Sequence, residues 1–202
     1  MSEAKKALVF GGSFDPPHIG HMNLLENAIS AVAPGEVFVV PSGTAPHKQA
    51  SATPGPLRLA MCQCFTPLFP HLVVGNWELC RPGKSYTVDT MATLQAEYPG
   101  REWYLCIGAD MLLGFATWHR YKQLLGMATL VAGGRGEKDE TALRAAAKAL
   151  EDEGGRVLLA KGPVVPASSS GIRAALAGGD EEALLLIPPP ADDIVRQNGL
   201  YR

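Results

Sequence analysis

No apolar run in the 202-residue chain reaches the roughly 20 residues needed to cross a membrane. The opening residues, MSEAKKALVF, pass straight into a core-like strand. They contain no apolar leader with a small-residue cleavage site, so secretion is not expected and a cytoplasmic location is. Net charge is also scarce. Eighteen Lys and Arg against 20 Asp and Glu leave −2, which argues against a broad surface for nucleic acid or an anionic membrane and leaves room only for a local basic cluster. Cysteine is limited to Cys62, Cys64, Cys80 and Cys106. Without a secretory signal these read as free thiols and not as a disulfide framework. Cys62 and Cys64 could form half of a metal site. However, the stretch from Pro56 to Phe65 reads as a helix, where side chains two apart diverge, so both read as buried, inert thiols. Internal repeats and low-complexity tracts are missing. So are a GK[ST] after the first strand and the GxGxxG fingerprint, which excludes the two commonest phosphate-loop signatures. No activated serine, activated cysteine or pair of carboxylates presents itself for covalent or acid–base chemistry.

What is present is an alternation of strands and helices. At 47% hydrophobic and 19% charged residues, the composition is that of an ordinary globular protein. The length suffices for a buried core without staples. Strands are expected at Ala7–Phe10, Val37–Val40, Leu72–Val74, Trp103–Ile107, Thr129–Ala132 and Val157–Ala160. Helices are expected from near His18 to Val32, stopped by Pro34-Gly35, and at Pro56–Phe65. Another should run from Thr87 to Tyr98, with Ser85 or Thr87 as cap. The rest fall at Tyr121–Leu125, Glu137–Glu153, Gly171–Ala177 and Asp192–Asn198. This order predicts an α/β fold with a doubly wound, mostly parallel sheet and a small C-terminal helical segment over about 167–202, all in one domain spanning 1–202. Ligands on such sheets bind beyond the carboxyl ends of the strands. Those ends carry Gly11-Gly12, Pro41-Ser42, Gly108-Ala109-Asp110 and Gly133-Gly134-Arg135, so one cleft could collect them all. The Pro-, Gly- and Ser-rich stretch from Pro41 to Gly55 reads as a surface loop at that edge.

The most informative stretch is ALVFGGSFDPPHIGHMNLLENAI, residues 7 to 29. Glycines straight after a strand let the backbone approach a phosphate, and the following helix presents its positive end to the same point. His18 and His21 are three apart, so both can lie on one side of the first helical turn. Gly20 between them is expected to keep a side chain from crowding a ligand. The pair offers two imidazole donors beside the backbone amides. Far along the chain, Ser168-Ser169-Ser170-Gly171-Ile172-Arg173 opens another helix with hydroxyls and a guanidinium.

These segments carry a family resemblance. GGSFDPPHIGH resembles the (H/T)xGH motif of the nucleotidyltransferase superfamily, and SSSGIR resembles its second signature, ISSTxIR, with Ala167 for the usual isoleucine and Ser170 for the usual threonine. The intervening Pro46-His47-Lys48, Lys84-Ser85-Tyr86-Thr87, IGADMLLGFATWHRYKQLL and the ending GLYR are similar to bacterial nicotinate-nucleotide adenylyltransferases, over nearly the whole chain. The Glu137–Glu153 helix is the least similar part, and Gly136 stands where the family usually has proline.

The resemblance implies a nucleotidyltransferase that moves the adenylyl group of ATP, accompanied by Mg2+, to nicotinate mononucleotide. It implies His18, His21 and Arg173 as the catalytic groups. It further implies that Gly11, Gly12, Ser13, Phe14, Gly108, Asp110, Ser168, Ser170 and Ile172 join them in binding ATP. Nicotinate mononucleotide would fall to Ser42, Lys48, Thr87, Asp110, Trp118, His119 and Arg135. The residue types suit those roles: Trp118 can stack on a pyridine, Asp110 can accept from ribose hydroxyls, and Lys48 and Arg135 can neutralise phosphate. Within the superfamily, nicotinamide mononucleotide or phosphopantetheine are alternative acceptors. A non-catalytic nucleotide-binding module on the same fold is a further alternative.

Overall fold

The computed structural model describes residues 4–44, 53–133 and 140–202, so Lys48 and Arg135 lie outside the described residues. Six strands, β1 (Lys5–Gly12), β2 (Glu36–Pro41), β3 (Leu72–Val74), β4 (Arg101–Gly108), β5 (Thr129–Gly133) and β6 (Val157–Ala160), form one sheet in the order β3-β2-β1-β4-β5-β6. Every pairing in it is parallel. Strand order reverses between β1 and β4, the position at which open α/β sheets leave a crevice at their carboxyl edge.

The helices are α1 (Ile19–Val32), α2 (Gly55–Met61), α3 (Thr87–Glu97), α4 (Ala109–Leu113), α5 (Tyr121–Met127), α6 (Glu140–Asp152), α7 (Ser169–Ala177) and α8 (Ala191–Gln197). They divide between the two faces as the alternation within the strands dictates. Leu8 and Phe10 of β1 point into one core, with Leu25 and Ala28 of α1, Met61, Ile172 of α7 and Val195 of α8. Ala7 and Val9 point into the other, with Met91 of α3, Leu112 of α4, Leu124 of α5 and Leu143 of α6. Both clusters hold many side chains under 5% exposed, so the sheet is covered on each side, as an all-parallel sheet requires.

Three local expectations change. The expected helix from Pro56 to Phe65 ends at Met61 and tightens into a 3-10 segment, Cys62–Leu68, with Pro67 inside it. A proline lacks the N–H that an α-helical turn would use there, and the tighter winding buries Cys62, Cys64 and Phe65 together. Burial raises the Cys62 and Cys106 thiols and pushes Cys64 up to about 12, so all three are inert as nucleophiles. Neither Ser85 nor Thr87 caps α3: the N-cap is Tyr86 and it makes no side-chain bond. Ser85 is instead drawn into a pairing with the segment after β2, where its amide donates to Thr44 O at 2.9 Å, and its buried hydroxyl meets no hydrogen-bond partner among the described residues. The helix of the serine cluster starts at Ser169, two residues before the expected Gly171, because Ser168 caps it. Two further 3-10 segments, Phe115–Thr117 and Glu181–Leu186, have no periodic signal long enough to read in advance. Of the described residues, no helix is long and apolar enough to cross a membrane.

Candidate active site

The turn after β1 is built around an aromatic side chain. Phe14 adopts a left-handed backbone, φ 47°, and its ring is buried edge-on against Phe10, Phe65 and His21, with centroids 5.2 Å away in each case. This gives the two glycines of GGSF different reasons to exist. A Cβ on Gly12 would stand 2.9 Å from the Phe14 ring, whereas a Cβ on Gly11 would meet nothing closer than Val40 O at 3.9 Å. Gly12 therefore makes room for protein, and Gly11 leaves the exposed carboxyl edge of β1 open to a ligand.

His18 and His21 cap α1 reciprocally. The His21 amide donates to His18 Nδ1 and the His18 amide to His21 Nδ1, each at 3.3 Å. The rings stack at 3.7 Å, 24° from parallel. An imidazole nitrogen that accepts an amide proton has no proton of its own, so each neutral ring must carry its hydrogen on Nε2. The helix start thereby fixes both tautomers and turns the pair into two N–H donors. Burial lowers the His18 pKa to about 4, so this ring is neutral throughout the physiological range. Gly20 has a different purpose from the one expected: a Cβ there would stand 3.0 Å from Val165 O and 3.1 Å from His18 Nδ1. The space it leaves is taken by the histidine and by the neighbouring backbone.

The distant serine cluster meets this corner directly. Arg173 Nη1 donates to Asp15 O at 2.7 Å, and Ser169 Oγ to Pro16 O at 2.9 Å. Ser168 Oγ accepts from the Gly171 amide at 3.1 Å, while Ser170 is exposed, its hydroxyl 3.5 Å from that of Ser168. Ile172 points into the core at 2% exposure and its amide donates to Ser168 O, so it contributes packing at this place. Ser13 lies in the same turn, and its carbonyl accepts from Arg58 Nη1 at 2.9 Å. The same Nη1 donates to Ser42 O at 2.7 Å, and Arg58 Nε donates to Thr53 O at 3.3 Å. Sequence reasoning passed over Arg58 and gave Ser169, though part of the serine cluster, no role of its own. The signal for Arg58 was a cation one helical turn from Met61 on the buried side of α2.

The other flank is more open. Ser42 follows β2, and the Gly43 amide donates to Glu78 Oε2 at 3.3 Å. Thr44 bridges to Lys84, which brings this loop beside the start of α3, where Thr87 is the first helical residue. The Tyr86 ring lies 4.2 Å from that of His119, and Trp118 is half-buried on Phe115 at 5.0 Å. Asp110 sits exposed in the first turn of α4, its Oδ1 2.7 Å from where a Gly108 Cβ would be. Phe10 pairs with Cys106, which sets Gly11, Gly12 and Gly108 at one level on neighbouring strands. Neither α3 nor α4 has a side-chain cap. Among the described residues, no group of three His, Cys, Asp or Glu is placed to hold a metal ion.

Comparison with known proteins places this arrangement among relatives. The family model described as cytidylyltransferase-like matches residues 9–175. A protein named as a probable nicotinate-nucleotide adenylyltransferase of Aeromonas hydrophila is 35% identical over 206 residues, covering 96% of this chain and 96% of that one. A protein of the same name from Albidiferax ferrireducens is 40% identical over 131 residues, 65% of this chain and 66% of its own length, so that alignment spans just under two thirds of the relative. In fold, the chain is similar to the Plasmodium falciparum nicotinic acid mononucleotide adenylyltransferase solved with NaAD. The TM-score is 0.79 at 20% identity, covering 98% of this chain and 97% of that one.

Proposed function

The chain belongs to the cytidylyltransferase-like family and, within it, to the nicotinate-nucleotide adenylyltransferases, and on that premise we propose that it transfers the adenylyl group of ATP to nicotinate mononucleotide, as a cytoplasmic step of NAD synthesis. We read residues 1–202 as one catalytic unit. The 5′-phosphate of the mononucleotide attacks the α-phosphorus of ATP in line. A new P–O bond gives the dinucleotide, the bond to the β-phosphate breaks, and pyrophosphate leaves with its charge. A phosphate monoester has a second pKa of about 6, so the nucleophile is ionised at neutral pH and needs no base. That fits a site whose histidine pair is arranged to donate.

The observation that carries the reading is the shared turn. His18 and His21, tautomer-fixed as Nε2–H donors, and Arg173, bonded to Asp15 O, stand around the same five residues. Donors aimed at phosphoryl oxygens that gain charge are the principal source of rate in such transfers. Gly11 lets the phosphates approach the backbone, and Ser13, Ser168 and Ser170 are hydroxyl partners for the triphosphate. Gly108 and Asp110 take the adenosine side. The metal enters as MgATP, part of the substrate, held by phosphate oxygens and water. On the acceptor flank, Trp118 stacks on the pyridine and the nicotinate carboxylate is received at Thr87 and the His119 amide. We assign the mononucleotide phosphate to Ser42 and, from residue type and family resemblance alone, to Lys48 and Arg135.

The test is acceptor choice. Rates of dinucleotide formation from ATP should favour nicotinate mononucleotide strongly over nicotinamide mononucleotide. A preference for the amide would overturn the proposed acceptor.

A further inference from the structure

We infer that Tyr201 is a positioning residue for the phosphate-binding turn, acting through Asp15. The inference rests on the adenylyl-transfer reading of that turn. Asp15 lies within the turn, three residues before His18, and is 7% exposed. A carboxylate withdrawn from water to that degree depends on its hydrogen bonds. Tyr201 Oη, 186 positions away in sequence, donates to Asp15 Oδ1 at 2.6 Å, the length of a charge-assisted O–H···O bond. The same Oη accepts from Thr53 Oγ1 at 3.2 Å. Thr53 is in turn held through its carbonyl by Arg58, the residue that grips Ser13 O and Ser42 O.

Arg58 holds the turn at the Ser13 carbonyl, Arg173 at the Asp15 carbonyl, Ser169 at the Pro16 carbonyl, and Tyr201 at the Asp15 carboxylate. Of these, the Tyr201 contact alone reaches the turn through a side chain of the turn itself. Tyr201 also has a left-handed backbone, φ 67°. A bulky residue adopts that conformation only where its surroundings over-determine it. Its ring packs against the core that holds Phe10, Phe14 and Phe65, so the hydroxyl is delivered to Asp15 by a seated side chain. Burial and the adjacent carboxylate both raise the phenol's pKa, so it remains a donor wherever the enzyme would work.

Without that hydroxyl, the Asp15 carboxylate loses its short contact with Tyr201, and the turn shifts relative to α1 and α7. The imidazole donors and Arg173 then lose their common alignment on the phosphates. Displacements of about 1 Å at a reacting centre cost up to roughly a hundredfold.

The test is Tyr201→Phe, which keeps the ring and removes the hydroxyl, compared with Asp15→Asn and the double variant. Tyr201→Phe should lower kcat by about tenfold, weaken ATP binding and leave the KM for nicotinate mononucleotide within about twofold, the split expected when the phosphate-binding turn and not the acceptor flank is disturbed. In the double variant the two losses should fail to multiply. A kcat equal to that of the unsubstituted protein, measured well below the melting temperature of each, would overturn the inference even if Tyr201→Phe melts earlier. Should the unsubstituted chain form no dinucleotide at all, the adenylyl-transfer reading falls first. Calorimetric ATP affinity then decides for Tyr201: a loss in Tyr201→Phe sustains it, and equal affinity rejects it.

Discussion

The two flanks of the cleft are built in opposite ways. On the phosphate flank, helix starts are closed by protein groups. The imidazoles of His18 and His21 cap α1, Ser168 caps α7, and Arg58, Arg173 and Tyr201 cross-link the turn between them. On the acceptor flank, α3 begins at Tyr86 without any side-chain cap, and the aromatic groups Trp118 and His119 are half-buried or exposed. A flank whose donors are fixed before the ligand arrives suits the charge change of phosphoryl transfer, because it needs no reorganisation during the reaction. A flank with an uncapped helix start suits recognition of an acid, since the ligand itself can complete the cap. Catalysis and acceptor choice should therefore separate by flank when residues are changed.

The largest effect should come from acid. His18 is held at about 4 by burial, against 6.5 for the free side chain. The unfolded chain therefore binds a proton that the folded chain refuses, and stability falls as pH drops from about 6.5 to about 4. At roughly 1.4 kcal/mol per unit the loss approaches about 3 kcal/mol. His18→Asn, which retains a capping group, should flatten that part of the profile in chemical denaturation series. An unchanged slope would show that His18 is not held neutral.

Next in size, His21→Ala should reduce kcat by about two orders of magnitude, near 3 kcal/mol, with the fold intact by circular dichroism. Near-normal turnover would remove the donor pair from the chemistry. The glycines separate the two uses of the same turn. Gly12→Ala forces a Cβ to 2.9 Å from the Phe14 ring and should destabilise by about 1–3 kcal/mol. Gly11→Ala, with 3.9 Å of clearance, should leave the melting temperature almost unchanged and weaken ATP binding. If both behave alike, the distinction between room for protein and room for ligand is wrong. The smallest change belongs to the acceptor flank. Trp118→Ala should raise the KM for nicotinate mononucleotide about tenfold, near 1.4 kcal/mol, with the KM for ATP little altered. A change confined to ATP would place the ring on the wrong substrate.

Much of this was readable in advance where the cause is local. Leu72–Val74 and Val157–Ala160 emerge at their expected bounds because short apolar runs between turn residues have few other uses. The histidine corner was legible because a strand, two glycines and a helix start lie within a few residues of one another. What escaped was non-local. Arg58 and Tyr201 act through carbonyl and carboxylate oxygens brought near by folding, across separations of 45 and 186 residues, and no periodicity announces such a bond. Ser85 misled as a cap because its neighbour, the segment after β2, is set by sheet topology. Gly20 was recognised as a residue that makes room, but the occupant of that room is His18 itself.

The most direct measurement is the stoichiometry of pyrophosphate release when the chain is mixed with ATP, Mg2+ and nicotinate mononucleotide. One pyrophosphate should appear for each deamido-NAD formed, and none should appear without the acceptor. Binding of ATP with no pyrophosphate, or release of orthophosphate with ADP in its place, would contradict adenylyl transfer at the histidine corner.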